Sequence, residues 1–206
     1  MNKIKNKKLT SGFTAMEIII VIAISTIIML AVSTFQRDVI VHNSMIQSGA
    51  IAEEGMRNTL KQILSELRGV SSSQTGAYGL ESVATNTIIF YSDIDSDDVR
   101  ERVRYFLDNQ TFKKGVVEPT GQPYTYNLSA EQLRIVADNV INGTSSVFSF
   151  YDNSYTGTSS ALSLPTDISK IKLIKINLGL DPNPNRPLEA MWITSQVMLR
   201  NFKGSL

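Results

Sequence analysis

The chain has 206 residues, 42% hydrophobic and 19% charged, with a formal net charge of +1. That length suits one ordinary domain plus an extension, and the near-neutral charge carries no general basic signal, so no nucleic-acid partner is expected. Cysteine is absent, which excludes a disulfide framework, a thiolate nucleophile and a cysteine-ligated metal; exported proteins can lack cysteine, so the compartment stays open on that count.

Residues 1–12 form a basic leader, with Lys3, Lys5, Lys7 and Lys8 and no acid beside them. Removing these four from twenty basic residues leaves sixteen against nineteen acidic ones, so the remainder is mildly acidic. Residues 18–32 are uncharged and almost wholly apolar. Basic flanks resist translocation, which predicts a single pass in the cytoplasmic membrane with the N-terminus inside and the C-terminus outside. From Phe13 to Phe35 is 23 residues, about 34 Å as helix at roughly 1.5 Å per residue, enough to cross a hydrocarbon core of about 30 Å. Residues 13–36 are therefore expected to be helical and in contact with lipid. Glu17 sits on the edge of the run. A carboxylate near a bilayer centre costs about 2.5–3.5 kcal/mol, less near the headgroups, and its presence calls for a partner.

The segment Gly12-Phe13-Thr14-Ala15-Met16-Glu17, after a basic leader and before an apolar run, resembles the class III signal sequence of type IV prepilins and pseudopilins. The resemblance implies cleavage by the prepilin peptidase between Gly12 and Phe13, N-methylation of Phe13, and retention of Glu17. In that family the glutamate of one subunit meets the N-terminal amine of a neighbour and sets the axial register. The implied partners are the prepilin peptidase, other pilin or pseudopilin subunits and an inner-membrane assembly platform, and the implied destination is an extracytoplasmic filament. Elementary chemistry is compatible with this. Glycine before the scissile bond lets a protease approach the backbone closely. The freed amine at Phe13 is positive at neutral pH and needs a counter-charge among apolar helices, where a paired charge is tolerable and a lone one is not. Two other readings fit parts of the pattern: a conventional signal peptide cut after Ala31-Val32-Ser33, and a single-pass anchor that is never cut.

Arg37 and Asp38 mark the exit from lipid. Beyond them Met45, Gly49, Ala52, Met56, Leu60, Ile63 and Leu67 recur at steps of three and four, one face of an amphipathic helix. Asn43, Gln47, Glu54, Arg57, Lys61 and Arg68 fall largely outside that stripe, and Glu53 and Arg57 are placed for an i,i+4 pair. Gly69 is the expected C-cap. The first proline is Pro119, so a continuous helix over 13–68, about 84 Å long, is predicted, its part from 37 to 69 entering the head. Many pilins carry a proline in this helix and a C-terminal disulfide; this chain has neither.

Residues 70–206 read as a β-rich head. Thr87–Ser92 and Val99–Leu107 alternate as strands. In the second, Val99, Glu101, Val103, Tyr105 and Leu107 share one face, and Arg100, Arg102 and Arg104 the other. Asn142-Gly143 signals a hairpin between Leu133–Ile141 and Val147–Tyr151. Lys170–Leu180 alternates again, 181–187 is a loop, and Trp192–Arg200 is the last strand. The expectation is α+β, an antiparallel sheet packed on the C-terminal half of the helix. The run from Ile88 to Asp95, then Arg104-Tyr-Phe-Leu107, then Val197-Met-Leu-Arg-Asn201 is similar to minor pilins and to the type II secretion minor pseudopilin J, which implies a minor subunit that primes or caps a filament.

Asp93, Asp95 and Asp97 have the Asp-x-Asp-x-Asp spacing that opens a calcium loop. Asp98 stands where such a loop has glycine and Arg104 where it has the bidentate glutamate, and aspartates are also common in solvated turns. No other cofactor is expected. His42 is the only histidine and has no second ligand type nearby. The three arginines read as a solvated face or a surface for an acidic partner, and Asn127 and Asn142 each fit the N-glycosylation pattern. No catalytic constellation is visible, so a structural, assembling protein is expected rather than an enzyme. The competing class is a membrane-anchored extracytoplasmic binding module that never polymerises; a soluble protein released at Ser33 is the third.

Overall fold

The computed structural model describes residues 12–182 and 190–199. The leader up to residue 11, most of the 181–187 loop and Arg200 lie outside the described residues. The chain divides into two units, 1–47 and 48–206, taken here in turn.

Helix α1 spans Ala15–Arg68 and contributes to both units. It starts two residues later than expected because Thr14 is its N-cap. The Thr14 carbonyl accepts from Glu17 and Ile18, and the Thr14 hydroxyl oxygen accepts the Glu17 N–H at 3.3 Å. The Glu17 carboxylate returns the favour, accepting the Thr14 N–H at 2.8 Å. This is a capping box, in which each of the two side chains accepts the other residue's orphan N–H. In the first unit the apolar residues are exposed all round, from Phe13 through Ile28, Leu30 and Phe35 to Val41. Hydroxyls in this stretch turn inward on the helix: Thr26 Oγ1 donates to the Ile22 carbonyl, Ser33 to Leu30 and Thr34 to Ala31. That removes their need for water.

In the second unit the expected stripe is the buried one. Met56, Leu60, Ile63 and Leu67 are at most 4% exposed, while Glu54, Arg57, Lys61 and Arg68 face out. The expected Glu53–Arg57 pair forms at 2.6 Å. The helix stops at Arg68. Gly69 follows in a turn whose demand is close approach: a Cβ there would lie 2.8 Å from Ser92 Oγ, the hydroxyl that donates to the Glu66 carbonyl at 2.9 Å.

Ten strands follow: β1 Leu80–Val83, β2 Thr87–Ser92, β3 Glu101–Asp108, β4 Thr111–Val117, β5 Pro119–Thr120, β6 Thr125–Tyr126, β7 Gln132–Ala137, β8 Phe148–Tyr151, β9 Leu173–Leu180 and β10 Met191–Met198. All described pairings are antiparallel. The expected α+β architecture is present, but with three sheets rather than one, ordered β1-β2-β3-β4-β7, β10-β9-β8 and β5-β6. The first two share one core with α1, built from Ile88, Phe90, Val103, Tyr105 and Phe112 on one side and Phe148, Phe150, Ile174, Ile176 and Leu178 on the other. Rings bridge the sheets in series: Phe90 to Tyr105 at 6.2 Å, Tyr105 to Phe112 at 5.9 Å, Phe112 to Phe148 at 6.1 Å. Each such side chain contributes about 1.5–3 kcal/mol on burial.

The Asn142-Gly143 hairpin does not form, because β7 and β8 belong to different sheets. Asn142 is instead 3% exposed. Its amide donates to the Asn177 carbonyl at 2.8 Å and accepts from the Gly179 N–H at 2.9 Å, continuing the edge of β9 where β8 has ended. Its amide is committed to the backbone and so is not presented for glycosylation. Asn142→Ala is expected to lower stability by about 2 kcal/mol by orphaning these two backbone groups, read as a lower urea midpoint of the full chain.

Candidate functional site

Three places bear on function: the start of α1, the acidic loop between β2 and β3, and the arginine face of β3.

Among the described residues one helix, α1, is long and apolar enough to cross a membrane, and none of its hydrophobic window is buried within the chain. Gly12 and Phe13 precede it in exposed, non-helical backbone. A Cβ on Gly12 would meet nothing within 4 Å, so no packing among the described residues demands glycine there. Phe13 is 82% exposed. Glu17 lies one turn on, its carboxylate bonded to Thr14 through Oε2 by both the N–H and the hydroxyl. The sequence reading gave Glu17 a partner outside the chain and missed this local one, although Thr14-x-x-Glu17 is the spacing of a capping box.

The loop after β2 brings Asp93 and Asp95 together with Glu101, carboxylate oxygens of all three lying within 4.8 Å of one another. Asp97 is not in that group; its Oδ1 accepts the Val99 N–H at 2.8 Å. Asp93 folds the loop by accepting N–H groups from Ser96, Asp97 and Asp98, which lets Ser96 and Asp98 hold positive φ near 67°. The cluster brings together one oxygen from each of three groups, where calcium takes six to eight oxygens, and both Asp93 oxygens already accept backbone N–H groups. Glu101 shares its strand face with Val103 and Tyr105, and that face is the inward one, leaving Glu101 3% exposed. Its Oε2 accepts the Ile94 N–H at 2.9 Å. Burial, with Asp95 and Asp97 nearby, pushes its carboxyl above the ordinary value.

At Arg102 and Arg104 the arginine face is not solvated, while Arg100 is half-buried and donates to the Asp98 carbonyl at 3.0 Å. Arg102 is 8% exposed and grips Glu81 with two bonds of 2.7 Å. Tyr91 donates its hydroxyl to the same carboxylate at 2.7 Å. Arg104 forks onto Glu131, its Nε at 2.8 Å from Oε1, and its guanidinium lies 4.0 Å from the centre of the Phe106 ring. Both are satisfied within the chain, which leaves little for an acidic partner. The acids that pair with them lie 21 and 27 residues away along the chain, beyond the reach of strand alternation. His42 is exposed on α1. Asn127 caps a short 3₁₀ turn over Leu128–Ala130.

These carboxylates set opposite pH dependences. Burial raises Glu81, but the Arg102 and Tyr91 bonds outweigh it and hold the group below its ordinary 4.5. The Arg104 bond holds Glu131 down likewise. Their contribution to stability is complete above the unfolded value and lost as pH falls through the depressed ones. Glu101 runs the other way: its ionised form costs stability above its raised value, and the cost vanishes below 4.5. Glu101→Gln is therefore expected to raise the urea midpoint at about pH 8 and to match the parent near about pH 4.

No family model matches the chain, and no curated protein matches it.

Proposed function

We propose that the chain is a structural subunit, of the minor kind, of a type IV pilus or type II secretion pseudopilus. The prepilin peptidase cuts it between Gly12 and Phe13, Phe13 is N-methylated, and the subunit is held in the cytoplasmic membrane, N-terminus inside, until it joins an extracytoplasmic filament through α1. The observation that carries this reading is the division of labour along α1. Its first half exposes apolar side chains on every side, which calls for lipid or other helices. Its second half buries one stripe in a β head. Gly12, where a Cβ would meet nothing within 4 Å among the described residues, stands just ahead of the helix, where a peptidase needs an unobstructed backbone. Glu17 keeps its cap and still serves assembly, because both cap bonds end on one oxygen and a carboxylate has a second to offer an incoming amine.

The test is the mass of the N-terminal peptide from membrane-extracted protein, with the prepilin peptidase present and absent. A peptide beginning at Phe13, heavier by one methyl group and lost without the peptidase, is the expected result. An intact Met1 terminus in both samples overturns it in favour of an anchored module, and a start at Thr34 points to an exported protein. Gly12→Val is expected to leave the precursor uncut, read as retention of the leader on the same peptide map.

A further inference from the structure

Trp192 lies in β10, an edge strand of the three-stranded sheet, opposite Gly179 of β9. Its neighbours Ile193 and Val197 turn inward, while Trp192, Thr194, Gln196 and Met198 are exposed. A Cβ built on Gly179 would be 2.9 Å from each of three consecutive ring carbons, Cζ2, Cη2 and Cζ3. A point equidistant from three atoms of a hexagon lies on the axis of that ring. The six-membered ring therefore lies flat on Gly179, folded back over the sheet rather than projecting past its edge. One face is sealed by backbone and the residue remains 47% exposed. This is where glycine is needed: any side chain at 179 would lift the ring.

Beside the ring, the next row of the same face pairs Thr194 with Asn177, and the row after pairs Gln196 with Lys175. The Thr194 hydroxyl donates to Asn177 Oδ1 at 2.8 Å, which fixes the amide's orientation. The Asn177 backbone is pinned by the Asn142 amide and by its bond to the Val147 carbonyl. The face thus carries a rigid aromatic plate and, beside it, a held amide and hydroxyl with few charges.

We propose that this face binds carbohydrate, with a pyranose ring laid on the open side of Trp192 and its hydroxyls reaching Asn177 and Thr194 in the adjoining row. A pyranose combines one flat C–H face with equatorial hydroxyls at its rim, and this array matches both parts: apolar stacking area in the middle, oriented polar groups at the edge. A peptide added to the β10 edge would engage the backbone and pass the ring by, since the ring sits over β9. A cation would be held by several rings or an acid, and this face offers one ring and a lysine.

Trp192 is the chain's single tryptophan, so its emission reports on this surface alone. The full chain, in a non-glycosidic detergent or in nanodiscs, is titrated with cellohexaose and with chitohexaose, extended glycans with flat faces. A saturable change in emission with either, half complete at about 1 mM or below, is expected. Asn177→Ala should weaken it by about tenfold. Gly179→Ala, which displaces the ring but keeps the indole, should weaken it at least as much. Calorimetry on Trp192→Ala should show no binding, and Trp192→Phe should retain part of it. No saturation by about 10 mM with either glycan overturns the proposal, as does calorimetric binding that survives Trp192→Ala. Saturation by a proline-rich peptide alone would transfer the site to a different class of ligand.

Discussion

Lys114→Met is expected to destabilise the second unit by about 3–5 kcal/mol, the largest single-residue loss foreseen here, because it strands a buried carboxylate. Lys114 Nζ lies 2.6 Å from Glu66 Oε1, with both side chains under 10% exposed. The other Glu66 oxygen accepts the Tyr105 hydroxyl at 2.7 Å, and Gln62 donates to Oε1 at 2.9 Å. Burial first, and then the Glu66 charge, push the Tyr105 hydroxyl far above its ordinary value, so it stays a donor. The network fastens the last turns of α1 to the inner face of β3 and β4. Removing Lys114 leaves the Glu66 carboxylate with only the neutral donors Tyr105 and Gln62 and without its counter-charge. Removing all the polar members together is a different matter: Glu66→Leu with Lys114→Met and Tyr105→Phe should recover most of the loss, since two desolvation penalties disappear with the attraction. Urea unfolding of the full chain in detergent reads both results. A single variant as stable as the parent would mean that the pair contributes no net stability.

Glu17→Gln is expected to abolish filament incorporation while leaving α1 and its processing intact. The substitution separates the two roles that Glu17 can play. Glutamine serves in a capping box as glutamate does, so the Thr14 bonds survive and the helix start should cost a few tenths of a kcal/mol at most. The charge that would meet a neighbour's N-terminal amine is gone. Recovery in a sheared filament fraction should fall by at least about tenfold, with unchanged amounts in the membrane. If Glu17→Gln assembles like the parent while Glu17→Ala does not, the capping box accounts for the residue and the inter-subunit pair does not.

The helix was legible because its signals are long and redundant. The stripe from Met56 to Leu67 repeats over several turns, and the Glu53–Arg57 pair is local. The β2 and β3 alternations and the separate strands β9 and β10 were visible for the same reason, though not that β9 and β10 pair. β4 was not, because Lys113 and Lys114 interrupt its pattern. Lys114 takes an inward position that only Glu66, 48 residues earlier, makes tolerable. β1 is too short to alternate, its inward residue being Leu80. Asn142-Gly143 carried a true turn signal, since Gly143 has φ of 54° and Ser145 bonds back to the Asn142 carbonyl. What joins at that turn is a tertiary matter: the chain passes between sheets, and the amide serves a strand far along the sequence. The arginines of β3 were read from one strand, while their meaning lies in Glu81 and Glu131. At the acidic loop the spacing pointed to Asp97, but the turn geometry spends Asp97 on Val99 and draws in Glu101 from the following strand.

The inward hydroxyls of the first unit have one more implication. With Thr26, Ser33 and Thr34 closed on their own carbonyls, these three hydroxyls are withheld as donors to a neighbour. What remains exposed is chiefly the relief of branched isoleucines and valines, so a helix laid against it would be matched mainly by contour. On the proposed assembly reading, direction and register would fall to the Glu17 carboxylate, and substitutions that reshape the ridge should alter which neighbours are accepted before they alter whether the helix forms.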